Sequence, residues 1–321
     1  MYMFKYILKR IGLMLMTFTI IFVMCFVLIK LLPVDLTSVG FGQDRDLMIE
    51  RLRQRGYFEP IPKQLWLYVR RIITEGDFGI CVNMPEFRNR PVWDVFVDML
   101  PPTILINVYS SLFAVPIGIA LGIFAALKKN KWQDHVISTA VMVFISVPGF
   151  VTASLVLYIL CFELNLLPKT VMGGTNYFTW EMFRSQIPPI LAMSFGSIAG
   201  YARFTRAELT EVLTSEFMLL ARTKGLTKAQ ATTRHALRNA MVPIFPSIVG
   251  EFISVLSGSL IIERIFSIPG VGRLYLNAIN APDYDFFMLL SAFYLIIGLA
   301  AGLVIDLSYG VIDPRIRMGA R

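Results

Sequence analysis

Glu251 stands near the middle of an uncharged run from Ala240 to Ile262, where an ionised carboxylate costs about 3 kcal/mol unless it meets a partner or a water-filled cavity. Two roles fit such a residue. It is either an acid facing a pore, where it attracts a cationic amino group, or a protonated or hydrogen-bonded packing residue at a subunit interface. Little else in the chain has the makings of a reaction centre. Asp77-Phe78-Gly79 spells the magnesium-binding triplet of protein kinases, but no glycine-rich loop, strand lysine or His-Arg-Asp segment accompanies it. No Gly-x-x-x-x-Gly-Lys-Ser/Thr segment occurs, so the chain has no phosphate-cradling loop and no ATP site of its own. Cys25, Cys81 and Cys161 are widely separated and two of them lie in apolar runs, which points to inert buried thiols. His135 and His235 lack the spacing of metal ligands. The expectation is a non-catalytic chain that binds no metal or cofactor.

The elements that would position Glu251 are read from composition. Apolar residues make up 56% of the chain and charged residues 16%, with a mean hydropathy of +0.64, a balance outside that of water-soluble domains. Nearly uncharged runs occur at 11–29, 103–127, 136–162, 185–202, 240–262 and 286–305, each near the ~20 residues a helix needs to cross a bilayer. Six spans are expected, in an all-α polytopic membrane protein. The fourth run is the shortest and opens with Pro188-Pro189, a pair suited to a first helical turn. The first run lacks a small-x-small cleavage pattern and reads as an uncleaved anchor. Lys5, Lys9, Arg10, Lys128, Lys129, Lys131, the Lys and Arg residues between Arg203 and Arg238, and Arg315, Arg317 and Arg321 all fall on one side of a six-span chain. That side is therefore cytoplasmic and holds both termini. Basic residues gathered at membrane boundaries account for the net charge of +8 without a nucleic-acid partner.

Residues 215–243 are basic and water-soluble, yet lie between two apolar runs. Ser215 is placed to cap a first helix with Glu216 in its opening turn. Gly225 is placed to end that helix in the left-handed conformation, and Thr227 with Gln230 has the spacing of a capping box. Phe217, Leu220 and Ala221 share a helical face, so an apolar strip stays exposed unless a partner covers it. The two helices of 215–240 look built to dock.

In this segment Ala221, Arg222, Lys224, Gly225, Leu226, Arg234, His235, Ala236, Leu237, Arg238, Asn239, Ala240 and Pro243 follow one another in a pattern. That pattern resembles the coupling loop of inner-membrane permease subunits of ATP-binding-cassette importers, in their peptide and nickel branch. Further matches in the same order are Gly76-Asp77-Phe78-Gly79, Leu100-Pro101-x-Thr103, Val147-Pro148-x-Phe150, Ile265 to Arg273, Asp306-x-x-Tyr309 and Asp313-Pro314-Arg315. Two departures stand out. Leu219 and Leu220 occupy positions where the general importer loop has Glu and Ala, and Ile80-Cys81 replaces a segment that usually carries serine.

The resemblance implies the type I importer permease fold, with residues 1–32 as the first span, 33–100 as an extracytoplasmic insertion and 101–321 as the core. It also implies a second homologous permease subunit and two ATPase subunits that carry ATP and magnesium. Glu216, Phe217, Leu220, Ala221, Arg222, Lys224, Gly225, Arg234, His235 and Asn239 would bind those ATPases. An extracytoplasmic solute-binding protein would deliver oligopeptides or dipeptides, with nickel chelates or glutathione as the alternative cargo. The insertion carries nine basic and ten acidic residues and either docks that binding protein or only packs as a lid. A stand-alone carrier would show an internal repeat and several mid-membrane ionisable groups; a membrane scaffold would use the docking helices merely to recruit a partner. Pro148-Gly149 should kink the third span, with or without a role in gating. Gly118/Gly122, Gly196/Gly200 and Gly298/Gly302 have the spacing of close helix packing.

Overall fold

The computed structural model describes residues 2–32, 43–174 and 176–312. The opening of the insertion and the terminal segment with Asp313, Pro314, Arg315, Arg317 and Arg321 lie outside the described residues. Long apolar sequence becomes helix because each backbone N–H and C=O is then satisfied within its own segment. The order is α1 (Tyr2–Leu31), α2 (Gln43–Gln54), α3 (Ile61–Glu75), α4 (Val92–Leu127), α5 (Trp132–Ser146), α6 (Gly149–Val156, continued by a π-helix Leu157–Glu163), α7 (Trp180–Leu213), α8 (Glu216–Thr223), α9 (Lys228–Ala231), α10 (Leu237–Ser254), α11 (Leu260–Ile265), α12 (Val271–Asn280) and α13 (Tyr284–Ile312). Among the described residues there is no strand, only a single bridge between Ile80 and Pro91.

Three helical stretches, Ile7–Leu31, Val92–Leu127 and Tyr284–Ser308, are long and apolar enough to cross a membrane. The third expected span is not one kinked helix. α5 stops at Ser146, Pro148 caps a new helix from Gly149, and the two pieces meet at 101°. Pro148 has no N–H to continue the ladder and its ring excludes the helical conformation from the residue before it, so Val147 is extended. The fourth run also differs from expectation. Its helix starts at Trp180, where the Thr179 hydroxyl caps the Met182 N–H, so Pro188 and Pro189 sit inside α7. Residues 180–184, in which Glu181 and Arg184 interrupt the apolar side chains, extend the helix ahead of the uncharged run. α7 and α10 contain 34 and 18 residues, and even the shorter reaches roughly 27 Å at 1.5 Å per residue, close to the ~30 Å hydrocarbon thickness.

The chain forms two compact units. One comprises Met1–Pro101 and Pro269–Leu299. Its core joins Val92, Val95 and Phe96 of α4 to Val271 and Leu274 of α12 and Phe286 and Leu290 of α13. A second cluster packs Phe26 and Ile29 of α1 with Leu52, Tyr57, Tyr68 and Met288. The insertion is anchored by buried carboxylates. Asp283 Oδ2 accepts from the N–H groups of Val82 (2.7 Å) and Asn83 (2.9 Å), and Asn83 Nδ2 donates to Pro282 O at 2.6 Å. Asp285 accepts from Ile80 N at 3.2 Å. Gly79, at φ +107°, lies so close to the Asp285 carboxylate that a Cβ there would overlap it. The Ile80-Cys81 departure from the importer pattern therefore falls in a tightly tied strand of chain. Cys81 is buried and burial pushes its thiol up, leaving it unreactive.

The other unit comprises Pro102–Ile268 and Ala300–Arg321. Here Gly118 and Gly122 let α4 lie directly on α7. A Cβ at Gly118 would come within 2.8 Å of Ile198 O, and one at Gly122 within 2.6 Å of Ala202 O. Gly196 and Gly200 meet no such neighbour within 4 Å, so among the expected small-residue pairs the first is the one this unit uses for backbone approach.

Burial raises the Asp283 carboxyl to about 6, against the opposing pull of the Val82, Asn83 and Phe286 N–H donors. The folded state thus holds this proton more tightly than the unfolded chain, and the ionised carboxyl opposes folding. The penalty is absent below pH ~4 and complete above pH ~6, on the order of 2–3 kcal/mol. We expect Asp283→Asn to flatten this part of the stability profile, so that the thermal midpoint of the parent falls relative to the variant as pH rises from ~4 to ~6. Parallel midpoint curves for the two proteins in detergent would remove Asp283 as the cause.

Candidate functional site

The docking segment folds as helix, glycine turn, helix. α8 ends at Thr223, and Gly225 follows at φ +91° with nothing near its missing Cβ, so the turn needs glycine for its backbone alone. Thr227 and Gln230 form the expected capping box, with Thr227 N donating to Gln230 Oε1 at 3.0 Å and Gln230 N to Thr227 Oγ1 at 3.3 Å. The first cap differs. Ser215 holds the N-cap position of α8, but its hydroxyl donates back to Val212 O at 2.6 Å instead of accepting from the helix. Its hydroxyl is spent on tying α8 to the end of α7.

The apolar strip is also rotated from expectation. Ala221 faces inward with Met218, one turn apart, and the two pack on Ala126, Leu209, Ala231, Ala236 and Ala240. Phe217, Leu219 and Leu220 remain outside, 41%, 64% and 55% exposed. Two faces cannot both be buried by a helix of eight residues lying on a surface, and the small side chain of Ala221 is the one that allows close approach. Glu216, Arg222, Lys224, Arg234, His235 and Asn239 are exposed around this strip. The second docking helix has no loop after it. α9 runs through a π-helical stretch, Thr232–Ala236, straight into α10.

α10 carries Glu251. Its carboxylate accepts from the Ser197 hydroxyl of α7 at 3.0 Å, and one turn earlier the Tyr201 hydroxyl donates to Ser247 O at 3.0 Å. Glu251 is half-buried. A Cβ on the adjacent Gly250 would approach Ile305 Cδ1 to 2.8 Å, so glycine lets α10 lie against α13 at this level. Pro148, the other candidate pore residue, lies at the break between α5 and α6.

Two polar contacts escaped sequence reasoning. Asp134, buried at the start of α5, accepts from Arg206 Nε (2.5 Å) and Nη2 (2.8 Å), from Asn130 N (2.9 Å) and from Ser138 Oγ (3.3 Å). The pair ties the α4–α5 turn to α7 next to the docking cluster. Partners 72 residues apart leave no local spacing to find. Further on, α10 ends at Ser254 and runs through a 3-10 turn to Gly258 (φ +63°), and the buried Glu263 accepts from Thr103 Oγ1 at 3.0 Å beside it. Among the described residues no group of three or more His, Cys, Asp or Glu side chains converges as a metal site would require.

Comparison with known proteins gives concordant matches. Residues 118–318 match the family described as "Binding-protein-dependent transport system inner membrane component", and residues 3–107 match the N-terminal region of the corresponding membrane components. The chain is 33% identical over 318 residues to the dipeptide transport system permease protein DppB of Lactococcus lactis subsp. cremoris, covering 98% of this chain and 100% of that one. It is 32% identical over 317 residues to the glutathione transport system permease protein GsiC of Escherichia coli K12, covering 98% and 99%. Among solved structures, an amino acid ABC transporter superposes with a TM-score of 0.50 at 21% identity, over 67% of this chain and 92% of that chain. The MetNI methionine ABC transporter in inward-facing form gives 0.52 at 15% identity, over 68% and 95%. These two establish a shared fold.

The Asp134–Arg206 pair yields a directional test. Arg206→Ala leaves a carboxylate buried with neutral donors only and should cost about 3–5 kcal/mol. Asp134→Ala strands a cation whose side chain is 33% exposed, so it should cost less, about 2 kcal/mol. Replacing both should cost less than the sum. Thermal midpoints of the two single variants and the double variant decide the matter, and strict additivity would mean that the contact contributes nothing.

Proposed function

The chain belongs to the family of binding-protein-dependent transport system inner membrane components, and on that premise we propose that it forms half of the translocation pore of an ATP-driven peptide importer. It is a multi-pass membrane subunit of a transport system. A second, homologous permease supplies the other half of the pore, two ATPase subunits bind the cytoplasmic face, and a solute-binding protein delivers the cargo. ATP and magnesium are held by the ATPases, and this chain binds no cofactor. α7 and α10 cross the bilayer together with α1, α4, the broken α5–α6 run and α13, so both termini lie on one face, and the basic residues at the span boundaries support the cytoplasm as that face. Peptide cargo is supported by the full-length likeness to a dipeptide permease; the glutathione permease relative handles a peptide as well, since glutathione is a tripeptide.

One observation carries the mechanism. An uncovered apolar strip, Phe217 with Leu219 and Leu220, sits on a helix pair whose second member continues into α10 and so to Glu251. When ATP closes the ATPase pair, a displacement of the docked helices moves α10 without loss in a flexible loop, and the spans tilt between inward- and outward-facing states. The coupling is energetic only if the strip is gripped differently in the two states. Glu251 is bonded by a neutral hydroxyl and not by a cation, which leaves its carboxyl group as the polar element that an entering amino group would meet.

Gly225→Val tests the joint. The position has open space but a positive φ that costs a β-branched residue ~1 kcal/mol or more, so the helix pair is re-aimed while the spans insert normally. We expect weak ATPase binding, or hydrolysis without uptake. Normal subunit stoichiometry, ATPase rate and substrate accumulation in the purified complex would remove this turn from the coupling path. For the pore, Glu251→Gln should leave assembly intact and slow uptake of free-amine peptides by roughly tenfold, ~1.4 kcal/mol, relative to N-acetylated ones. Identical kinetics for both peptide classes in parent and variant assign Glu251 to packing instead.

A further inference from the structure

We propose that α3 is a membrane-interface helix, with the apolar flank formed by Trp66, Val69 and Ile73 seated in the headgroup and upper acyl region of the bilayer. This rests on the reading of the chain as a membrane subunit, but not on which side its termini lie. At 100° per residue, the side chains of Ile61, Leu65, Tyr68 and Ile72 form one narrow stripe, and that stripe packs into the α1 cluster. Val69, Ile73 and Trp66 continue the apolar arc on one side of it, to a total of roughly 160°. Lys63, Arg70, Arg71 and Thr74 occupy the opposite side. Tyr68 is buried and Ile61, Leu65, Val69 and Ile72 are half-buried, whereas Trp66 is 66% and Ile73 77% exposed.

The depth of the helix identifies what covers that flank. Tyr68 stacks against Phe22 of α1, ring centroids 6.4 Å apart, and tilts against Phe26 at 5.8 Å. Both rings lie inside the apolar span, which runs to Leu31. Measured back from Ile29, they stand about 4.5 and 10 Å within it at 1.5 Å per residue, the depth at which interfacial helices bury their apolar face. A second observation marks the boundary independently. Lys30 is the first charge after the apolar run, and its Nζ sits 3.8 Å from the Tyr57 ring centroid and 4.5 Å from that of Tyr284. A lysine among tyrosines is the composition of a membrane–water interface. Helix α3 therefore packs alongside the last turns of α1, at a level where α1 itself exposes Met24, Leu28 and Leu31 on the face turned away from α3. Basic residues on the far side suit the phosphate layer.

The test uses the full chain in phosphatidylcholine vesicles with Trp93, Trp132 and Trp180 replaced by Phe, leaving Trp66 as the sole indole. Lipids brominated near the headgroup end of the acyl chain should reduce its emission to roughly half, and iodide present on both sides should quench it several-fold less than a free tryptophan analogue. A control with Trp66→Phe and Leu15→Trp reports whether α1 itself is inserted. A quenched control beside an unquenched Trp66 overturns the proposal while leaving the membrane reading intact, whether iodide then reaches Trp66, as for a water-exposed lid, or neither agent does, as for a flank covered by protein. An unquenched control instead overturns the membrane reading. Should the three Phe substitutions prevent folding, a nitroxide at Ile73→Cys, with Cys25, Cys81 and Cys161 replaced by Ala, gives the same decision. Collisions with oxygen must then exceed those with an aqueous nickel chelate, and the reverse order refutes lipid contact.

Discussion

A bilayer core offers no water to a backbone N–H or C=O, and the form of this chain follows from that constraint. Long helices are one consequence. The other is that every interruption of a helix has its polar groups taken up nearby. At the α5–α6 break, Val147 N returns to Val143 O and Thr152 N reaches Pro148 O, so the chain turns through 101° with its ladder resumed on both sides. Beyond the 3-10 turn that follows α10, next to Gly258, Glu263 N donates to Ser259 O at 2.9 Å and the Glu263 carboxylate accepts from Thr103. At these two breaks a proline or a glycine of positive φ turns the chain, and neighbouring groups take up backbone hydrogen bonds beside it.

The same economy governs how the helix pair α8–α9 is seated. α8 rests on the ends of α4, α7 and α10 through Met218 and Ala221, and the α4–α5 turn beside it is locked by Asp134 and Arg206. Small side chains at Ala126, Ala231, Ala236 and Ala240 let these elements lie close, and close-packed contacts transmit displacement with little slack. The continuity of α9 with α10 adds a path along covalent helix. Its π-helical stretch is the one irregular point, a local widening often found where a helix has a task beyond structure.

Three carboxylates show how surroundings divide the work. Asp283 is satisfied by backbone N–H groups and holds the insertion in place. Asp134 is matched by a guanidinium in two-pronged geometry and holds two helices together. Glu251 takes a neutral hydroxyl and is half-buried. The first two are consumed by structure, whereas the third has no cationic or backbone N–H partner in its hydrogen bond, and that difference is what motivates the pore proposal.

Hydropathy and punctuation residues made much of this legible. The apolar runs at 11–29, 103–127 and 286–305 lie within α1, α4 and α13, and Gly225 with the Thr227–Gln230 box sits where local spacing put it. These features depend on interactions within a few residues, which linear sequence records. The inward turn of Ala221, the complete break at Pro148, the start of α7 at Trp180 and the diversion of the Ser215 hydroxyl to Val212 were not legible. Neither was the Asp134–Arg206 pair, nor the tie from Asp283 to the Val82-Asn83 backbone two hundred residues away. Composition and local spacing by themselves determined that this is a helical membrane chain with a water-exposed helix–turn–helix segment and a lone mid-span acid. Which face of each helix is buried, and which charges are spent on structure, was decided only when segments distant in sequence competed for the same neighbours, because burial and hydrogen-bond satisfaction belong to the packed chain and not to any one segment.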